Sequence, residues 1–345
     1  MSSLLALWYS ALALTAIALL IVAALVLARL LLGWRKRARE AERKRLVPLL
    51  LGEADADLSS RLWLADKLIA GLMVDLIQLV RGEERHRFIA RAAELGVPAR
   101  LRHQLGSGAA RHRQAAAEAL GLFSDERSIE SLYHALGDRN PDVRLTAALA
   151  LAQAGRAPPL RELVRRLDVG RREKSLLVNS LFKEIARHGT EELEALVGDE
   201  GVPATARIAA VEALAEAGSY AAVPLIAEAA IAGARDGREL AQYLRALAEL
   251  GHPAAAPAVE AALSSPSASA RAAAAEAVGR IGLADLAPRM TALLADPSWR
   301  VRFRAGEALV RMGEDGVAVL REAAAAGAGA AAEAAALTLR ERGLA

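Results

Sequence analysis

The feature that most constrains this chain is a pattern that returns about every thirty-one residues, because a chain built from short like units buries its apolar surface by stacking them. The marks of the pattern are small residues that end helical stretches. Ser124, Gly155, Gly189, Gly218, Gly251, Gly282, Gly313 and Gly343 follow one another at spacings of 31, 34, 29, 33, 31, 31 and 30. Four residues before each stands an aliphatic side chain: Leu120, Leu151, Ile185, Leu214, Leu247, Val278, Leu309 and Leu339. Three and four positions earlier lie mostly Ala or another apolar residue, as in Ala116/Ala117, Ala147/Ala148, Ala210/Val211 and Ala274/Ala275. This spacing puts one apolar stripe on one face of a helix. A second apolar stretch falls between marks, such as Ile129 to Leu136 and Leu286 to Leu294. Each unit is therefore predicted to be two antiparallel helices. Glycine just past the last periodic residue suits a left-handed helix cap, and a following proline, as in Gly251-His252-Pro253, suits a helix that must stop.

Composition agrees with that reading. Aromatic residues make up 3% of the 345, too few for large compact cores, while Ala and Leu dominate a 54% hydrophobic fraction and favour helix. The fold class expected is all-α. With no cysteine, the chain has no disulfide framework, no thiolate nucleophile and no Cys-ligated metal. Arg far outnumbers Lys, and with the Ala content this points to a bacterial source.

The N-terminal end reads differently. Residues 10 to 28 are uncharged and almost wholly apolar, and at about 1.5 Å per residue they match a hydrocarbon layer of about 30 Å. Trp8 and Tyr9 stand at one end and Trp34 at the other, where amphipathic rings sit at headgroup level, and Arg29 can extend outward along its stem. The first residues lack the positive region of a cleaved signal peptide. The run from Trp34 to Arg45, with Arg35, Lys36 and Arg37 at its head, is a positive-inside signal. It places the N-terminus outside and the remainder in the cytoplasm, at the bacterial inner membrane. Small-xxx-small pairs such as Ala6/Ser10 and Ala24/Ala28 allow close approach to another membrane helix. Residues 29 to 45 hold eight Lys or Arg against two Glu, so within a net charge of +3 the rest of the chain is mildly acidic. That balance speaks against a nucleic-acid partner. The expected domains are an anchor (1–34), a basic juxtamembrane segment and linker (35–57), and a repeat region (58–345).

Two stretches carry a family resemblance. Asp138, Pro141, Val143 and Arg144 precede an Ala-rich helix, as do Asp296, Pro297, Val301 and Arg302. Both resemble HEAT-like repeats of the phycobilisome-lyase type, in which a turn with Asp and Pro leads into Val-Arg and an Ala-rich second helix. The resemblance covers roughly residues 85 to 345. It is poorest at 168–189 and 236–251, where Val178 and Leu240 replace the Arg, and the last unit has Ala332 there. Arg85 to Gly96 reads as a degenerate unit and Leu58 to Val80, with Trp63, as a capping helix. The resemblance implies a HEAT-like α-solenoid of about eight or nine helix pairs and protein binding in general.

Chemistry is sparse. The six histidines (His86, His103, His112, His134, His188, His252) are nowhere followed by Glu, whereas HEAT-like iron hydroxylases ligate metal through His-Glu pairs. No phosphate-binding loop, HExxH or GxSxG is present. Asp55-Ala56-Asp57 imitates a metal-binding DxD but reads as a solvated turn. Not an enzyme, no cofactor, no metal and no small-molecule substrate are the expectations. The Arg column (Arg113, Arg144, Arg207, Arg271, Arg302) is either a track for an acidic partner or structural. The structural reading, which we favour, pairs Arg144 with Asp138 and Asp142, and Arg302 with Asp296. Denser clusters offer contact surfaces for a partner protein: Arg100, Arg102 and Arg111 in one, and Arg161, Arg165, Arg166, Arg171 and Arg172 in the other. The Ala-rich stretch 323–332 lacks a strongly polar face, and reads either as surface covered by a partner or another copy, or as a fraying end. The function expected is a membrane-tethered protein-interaction scaffold, in the form of a free-standing tether or an accessory subunit of a polytopic complex such as an envelope polysaccharide synthase or a transporter. The competing classes are a metal-dependent enzyme and a nucleic-acid binder.

Overall fold

The computed structural model describes residues 20, 66–77, 79–169, 176–232 and 237–344. Apart from residue 20, the expected membrane helix, with Trp8, Tyr9, Arg29, Trp34, Arg35, Lys36 and Arg37, lies outside the described residues, as do the linker, Trp63, Arg171 and Arg172. Among the described residues no helix is long and apolar enough to cross a membrane. Those residues form eighteen α-helices joined by turns and short 3-10 segments, with no strand.

The chain divides into two compact units, residues 1–131 and 132–345. The first holds α1 (Asp66–Ile77), α2 (Glu83–Glu94), α3 (Val97–Gly106) and α4 (Ala110–Leu120). In it α1 lies against α3 and α4, and α3 against both α2 and α4. Helix α5 (Glu126–Ala135) carries the chain across the boundary. The second unit continues with α6 (Pro141–Gln153), α7 (Leu160–Arg166), α8 (Leu176–Ala186), α9 (Glu191–Val197), α10 (Ala204–Glu216) and α11 (Val223–Ala232). It ends with α12 (Gly237–Leu250), α13 (Ala256–Ala262), α14 (Ala268–Ile281), α15 (Ala287–Leu293), α16 (Trp299–Arg311), α17 (Glu314–Ala325) and α18 (Ala330–Glu341). From α3/α4 to α17/α18 the helices alternate as eight first-and-second pairs, within the expected eight or nine. In the larger unit the second helices α6, α8, α10, α12, α14, α16 and α18 each pack on the next.

Within each unit the periodic stripe is buried. Leu120, Leu151, Leu214, Leu247, Val278 and Leu309 are fully buried, and Leu339 nearly so. Ile185 departs from the column and is only half-buried, in the segment where the sequence pattern is poorest. The glycine marks do the job expected of them. Gly155, Gly218, Gly251, Gly282, Gly313 and Gly343 have φ between 65° and 83°, whereas Ser124 and Gly189 do not take the left-handed form. At four of them the next residue donates its N–H back to the carbonyl of the column residue: Arg156 to Leu151 (2.9 Å), Ser219 to Leu214 (3.0 Å), Leu283 to Val278 (3.0 Å) and Leu344 to Leu339 (2.8 Å). The cap and the buried stripe thus share one backbone position, which fixes how the chain leaves each stacked helix.

Small side chains set the spacing between stacked helices. A Cβ on Gly279 of α14 would stand 2.7 Å from the Ala308 Cα of α16, and one on Gly306 would stand 2.4 Å from Thr338 Oγ1 of α18. Gly316 meets a harder limit, since a Cβ there would fall 1.9 Å from the Leu309 carbonyl oxygen. Gly218 has open space around it and resists substitution only through its backbone conformation. Gly218→Ala should therefore cost about 1 kcal/mol, the left-handed penalty. Gly316→Ala should cost about 3 kcal/mol, because backbone must move. Urea denaturation followed by circular dichroism checks the ranking; equal losses would contradict it.

Candidate interaction surface

The five column arginines share one position, the fourth residue of α4, α6, α10, α14 and α16. A side chain in the first turn of a helix lies beside the turn that leads into it, and the Nη1 of each arginine donates to a carbonyl of that turn. The acceptors are Gly108 for Arg113 (2.6 Å), Asp138 for Arg144 (3.0 Å), Val202 for Arg207 (2.6 Å), Ser265 for Arg271 (2.8 Å) and Asp296 for Arg302 (2.8 Å). These oxygens lie where the first helix ends and its carbonyls lack intrahelical partners. The column is a set of turn clamps, which supports the structural reading over the acidic-partner track. The carboxylate pairing expected within each turn differs, however: Arg144 and Arg302 take the main-chain oxygens of Asp138 and Asp296.

The opposite edge of the guanidinium reaches the next unit. Arg271 donates through Nε and Nη2 to both Asp296 oxygens (2.7 and 2.9 Å), and Arg207 through the same two atoms to both Glu239 oxygens (2.9 and 3.1 Å). Such two-point pairs hold geometry as well as charge. Glu239 is buried and also accepts from the Tyr243 hydroxyl at 3.0 Å. Burial first, and then the Glu239 charge, pushes the Tyr243 phenol above its ordinary range, so it stays a donor. The sequence concealed this pair because Leu240 interrupts the Arg column, and its neighbour Glu239 accepts where an arginine was sought. Burial works to raise the Asp296 carboxyl, but Arg271, the Ser298 N–H and Arg302 outweigh it and hold the group below the usual carboxylate range.

Further cross-unit contacts run along the second helices: Asn179 to Glu212 (3.2 Å), Lys183 with Glu216, Glu276 with Arg304 (3.5 Å) and Arg342 to Glu307 (3.0 Å). Desolvation raises the Glu212 carboxyl, opposed by Lys183 and Arg245. For the three ion pairs among these, opposite charges about one repeat apart were the available sequence signal.

The basic clusters are less free than their composition implied. Arg102 donates to Asp125 Oδ1 and Ser128 Oγ, each at 3.2 Å. Arg161 pairs with Asp199, and Arg166 with Glu162 at 2.6 Å. Arg100 is half-buried, while Arg111 and Arg165 are exposed. Two open clefts lie in the second unit. One of about 220 Å³ is lined by Gly155, Ile185, His188, Glu191 and Glu192; another of about 210 Å³ by Arg207, Leu225, Glu228 and Tyr243. Both fall below the roughly 300 Å³ at which small-molecule pockets begin. Among the described residues no group of three His, Asp or Glu side chains is placed to hold a metal ion.

Residues 98–178 and 256–340 match the HEAT repeats family. Over those two stretches the chain carries HEAT-like repeats. No match was found among curated proteins. Among solved structures, the karyopherin Kap121p is similar at 14% identity over 79% of this chain, with a TM-score of 0.47. Kap121p bound to the SUMO protease Ulp1p gives 14% over 79%, with a TM-score of 0.48. The HEAT-like protein spans little more than a third of the length of that karyopherin, 37%. Human deoxyhypusine hydroxylase is 22% identical over 72% of this chain and 97% of its own, with a TM-score of 0.33.

The Arg271–Asp296 pair has a pH signature. Because the folded carboxyl titrates below its unfolded value, the pair stabilises above an unfolded carboxylate value of about 3.9 and that contribution disappears as pH falls through the lower folded value. Asp296→Ala should cost about 3 kcal/mol at neutral pH, leaving Arg271 uncompensated. The gap between native and variant should narrow as the pH falls below about 4. Denaturation across a pH series reads both; a gap independent of pH would show that Asp296 acts without its charge.

Proposed function

We propose that this HEAT-like protein is a scaffold for protein–protein contact, tethered to the bacterial inner membrane by residues 10–28, with repeats of the phycobilisome-lyase type in the cytoplasm. The observation that carries the scaffold reading is how its polar side chains are used: the arginine column and the cross-unit pairs join turn to turn and unit to unit, and no reactive centre is assembled from them among the described residues. What remains exposed is an extended surface of charged side chains, the form that suits a macromolecular partner. Arg111 in the first unit, with its half-buried neighbour Arg100, and Arg165 in the second, with Arg171 and Arg172 in the same sequence cluster, are proposed to form separate contact surfaces, each within its own unit. Tethering raises the local concentration of whatever binds. Small-xxx-small pairs in the apolar run favour an accessory subunit of a polytopic complex as the particular form.

The tether is tested by fractionation. The native chain should stay with membranes through alkaline carbonate washing, and Leu19→Arg/Val22→Arg should move it to the soluble fraction. Since the chain has no cysteine, Ser2→Cys and Ser264→Cys report orientation by an impermeant maleimide. Labelling at position 2 alone from outside is expected; labelling at 264 alone would invert the topology, and release of the native chain by carbonate would remove the tether.

A further inference from the structure

The two-point carboxylate pairs define a site that the last unit leaves open. In Arg271, Nη1 holds the turn carbonyls while Nε and Nη2 hold the Asp296 carboxylate, twenty-five residues on. Arg302 repeats the first half of that arrangement: Nη1 donates to the carbonyls of Asp296 (2.8 Å) and Pro297 (3.2 Å). Twenty-five residues beyond Arg302 stands Gly327, in the exposed turn Ala326-Gly327-Ala328-Gly329, which has no side-chain acceptor. Gly327 precedes α18 by three residues, as Asp296 precedes α16. The Asp296 carboxylate is already held by Arg271, Arg304 is paired with Glu276, and Glu333 in the first turn of α18 is exposed and forms no ion pair. The Nε and Nη2 of the half-buried Arg302 accordingly have no hydrogen-bond partner among the described residues.

Beside this open edge lies an apolar shelf. Trp299 and Phe303 stand three residues before and one after Arg302, on one face of α16. Their rings are 6.5 Å apart, and Trp299 is 66% exposed, as large an aromatic surface as the described residues offer to solvent. An open guanidinium edge next to an exposed indole fits a carboxylate flanked by an apolar side chain.

We propose that the last two repeats form a docking site for an Asp- or Glu-bearing segment of a partner protein, its carboxylate bound at Nε and Nη2 of Arg302 and its neighbouring side chain laid on Trp299. The incoming acid completes the pattern that Asp296 completes for Arg271. The proposal rests on the scaffold reading and is independent of the membrane tether. It also assigns a role to the Ala-rich closing stretch, whose turn lacks the acid that would otherwise fill the edge.

The test uses the full chain in detergent micelles and a fluorescent peptide with the sequence of the chain's own acceptor turn, Leu-Ala-Asp-Pro-Ser, against the same peptide with Asn for Asp. Saturable binding of the Asp peptide, weakened about tenfold or more by the Asn exchange and by Arg302→Gln, is expected. Because Arg302→Gln also loosens a turn, a second variant keeps Arg302. Gly327→Asp/Ala328→Pro/Gly329→Ser transplants the acceptor turn and should abolish peptide binding, with little gain in melting temperature because Gly327 and Gly329 have φ of 105° and 143°, where a side chain is strained. Equal binding of both peptides, binding untouched by the transplant, or no binding at about 1 mM peptide would overturn the site. A native dimer that the transplant converts to monomer would assign the edge to a second copy and overturn the partner-protein proposal. Partner capture through Arg111 and Arg165 alone would leave the scaffold reading intact while this site fails.

Discussion

In the larger unit the apolar stripe on each second helix leaves water largely by packing against the second helix of the neighbouring repeat. Burial of Leu214, Leu247, Val278 and Leu309 is thus a property of pairs of units rather than of any one. The other regularities follow from this. The interhelical distance has to be small and constant, and so Ala and Gly dominate the contact, with Gly279 and Gly306 where the backbones approach most closely. At four of the stacked helices the chain leaves along the same path, the left-handed glycine returning the next N–H to the carbonyl of the buried column residue.

Electrostatics is fitted into that frame. Each column arginine lies where the first helix of its unit ends, and closes the turn by donating to oxygens that would otherwise lack partners. Closing a turn uses one side of a guanidinium and leaves the other for a carboxylate. In two units the carboxylate comes from the next unit, from Asp296 in a turn or from Glu239 in a helix. A buried two-point pair is costly to break from one side, so these contacts fix the orientation of adjacent repeats as well as joining them. Arg302 has Gly327 at the spacing where Arg271 has Asp296, so the carboxylate that joins those earlier units is missing at this turn.

Much of this was legible in the sequence. The period, the paired helices, the column residues and the cap glycines rest on contacts within about four residues or on a repeating apolar face. The expected basic surfaces were less legible. Arg102 and Arg161 find Asp125 and Asp199, 23 and 38 residues away, and no local pattern signals such partners. Arg166 with Glu162 is the exception, a helical neighbour pair open to inspection. Ile185 kept its place in the column but not its burial, because the unit around it departs from the repeat.

By itself the sequence determined that this chain is helical, that its helices come in pairs of about thirty-one residues, and that a left-handed glycine follows most of the second helices. Those properties depend on side-chain periodicity and on backbone conformations that only certain residues adopt. The tertiary structure decided which carboxylate each arginine meets, which oxygens of Asp296 serve Arg271 and which serves Arg302, and where a guanidinium edge stays open beside Trp299. A charge in the sequence has no direction. The stack supplies one by bringing residues 25 and 32 positions apart to within 3 Å of each other.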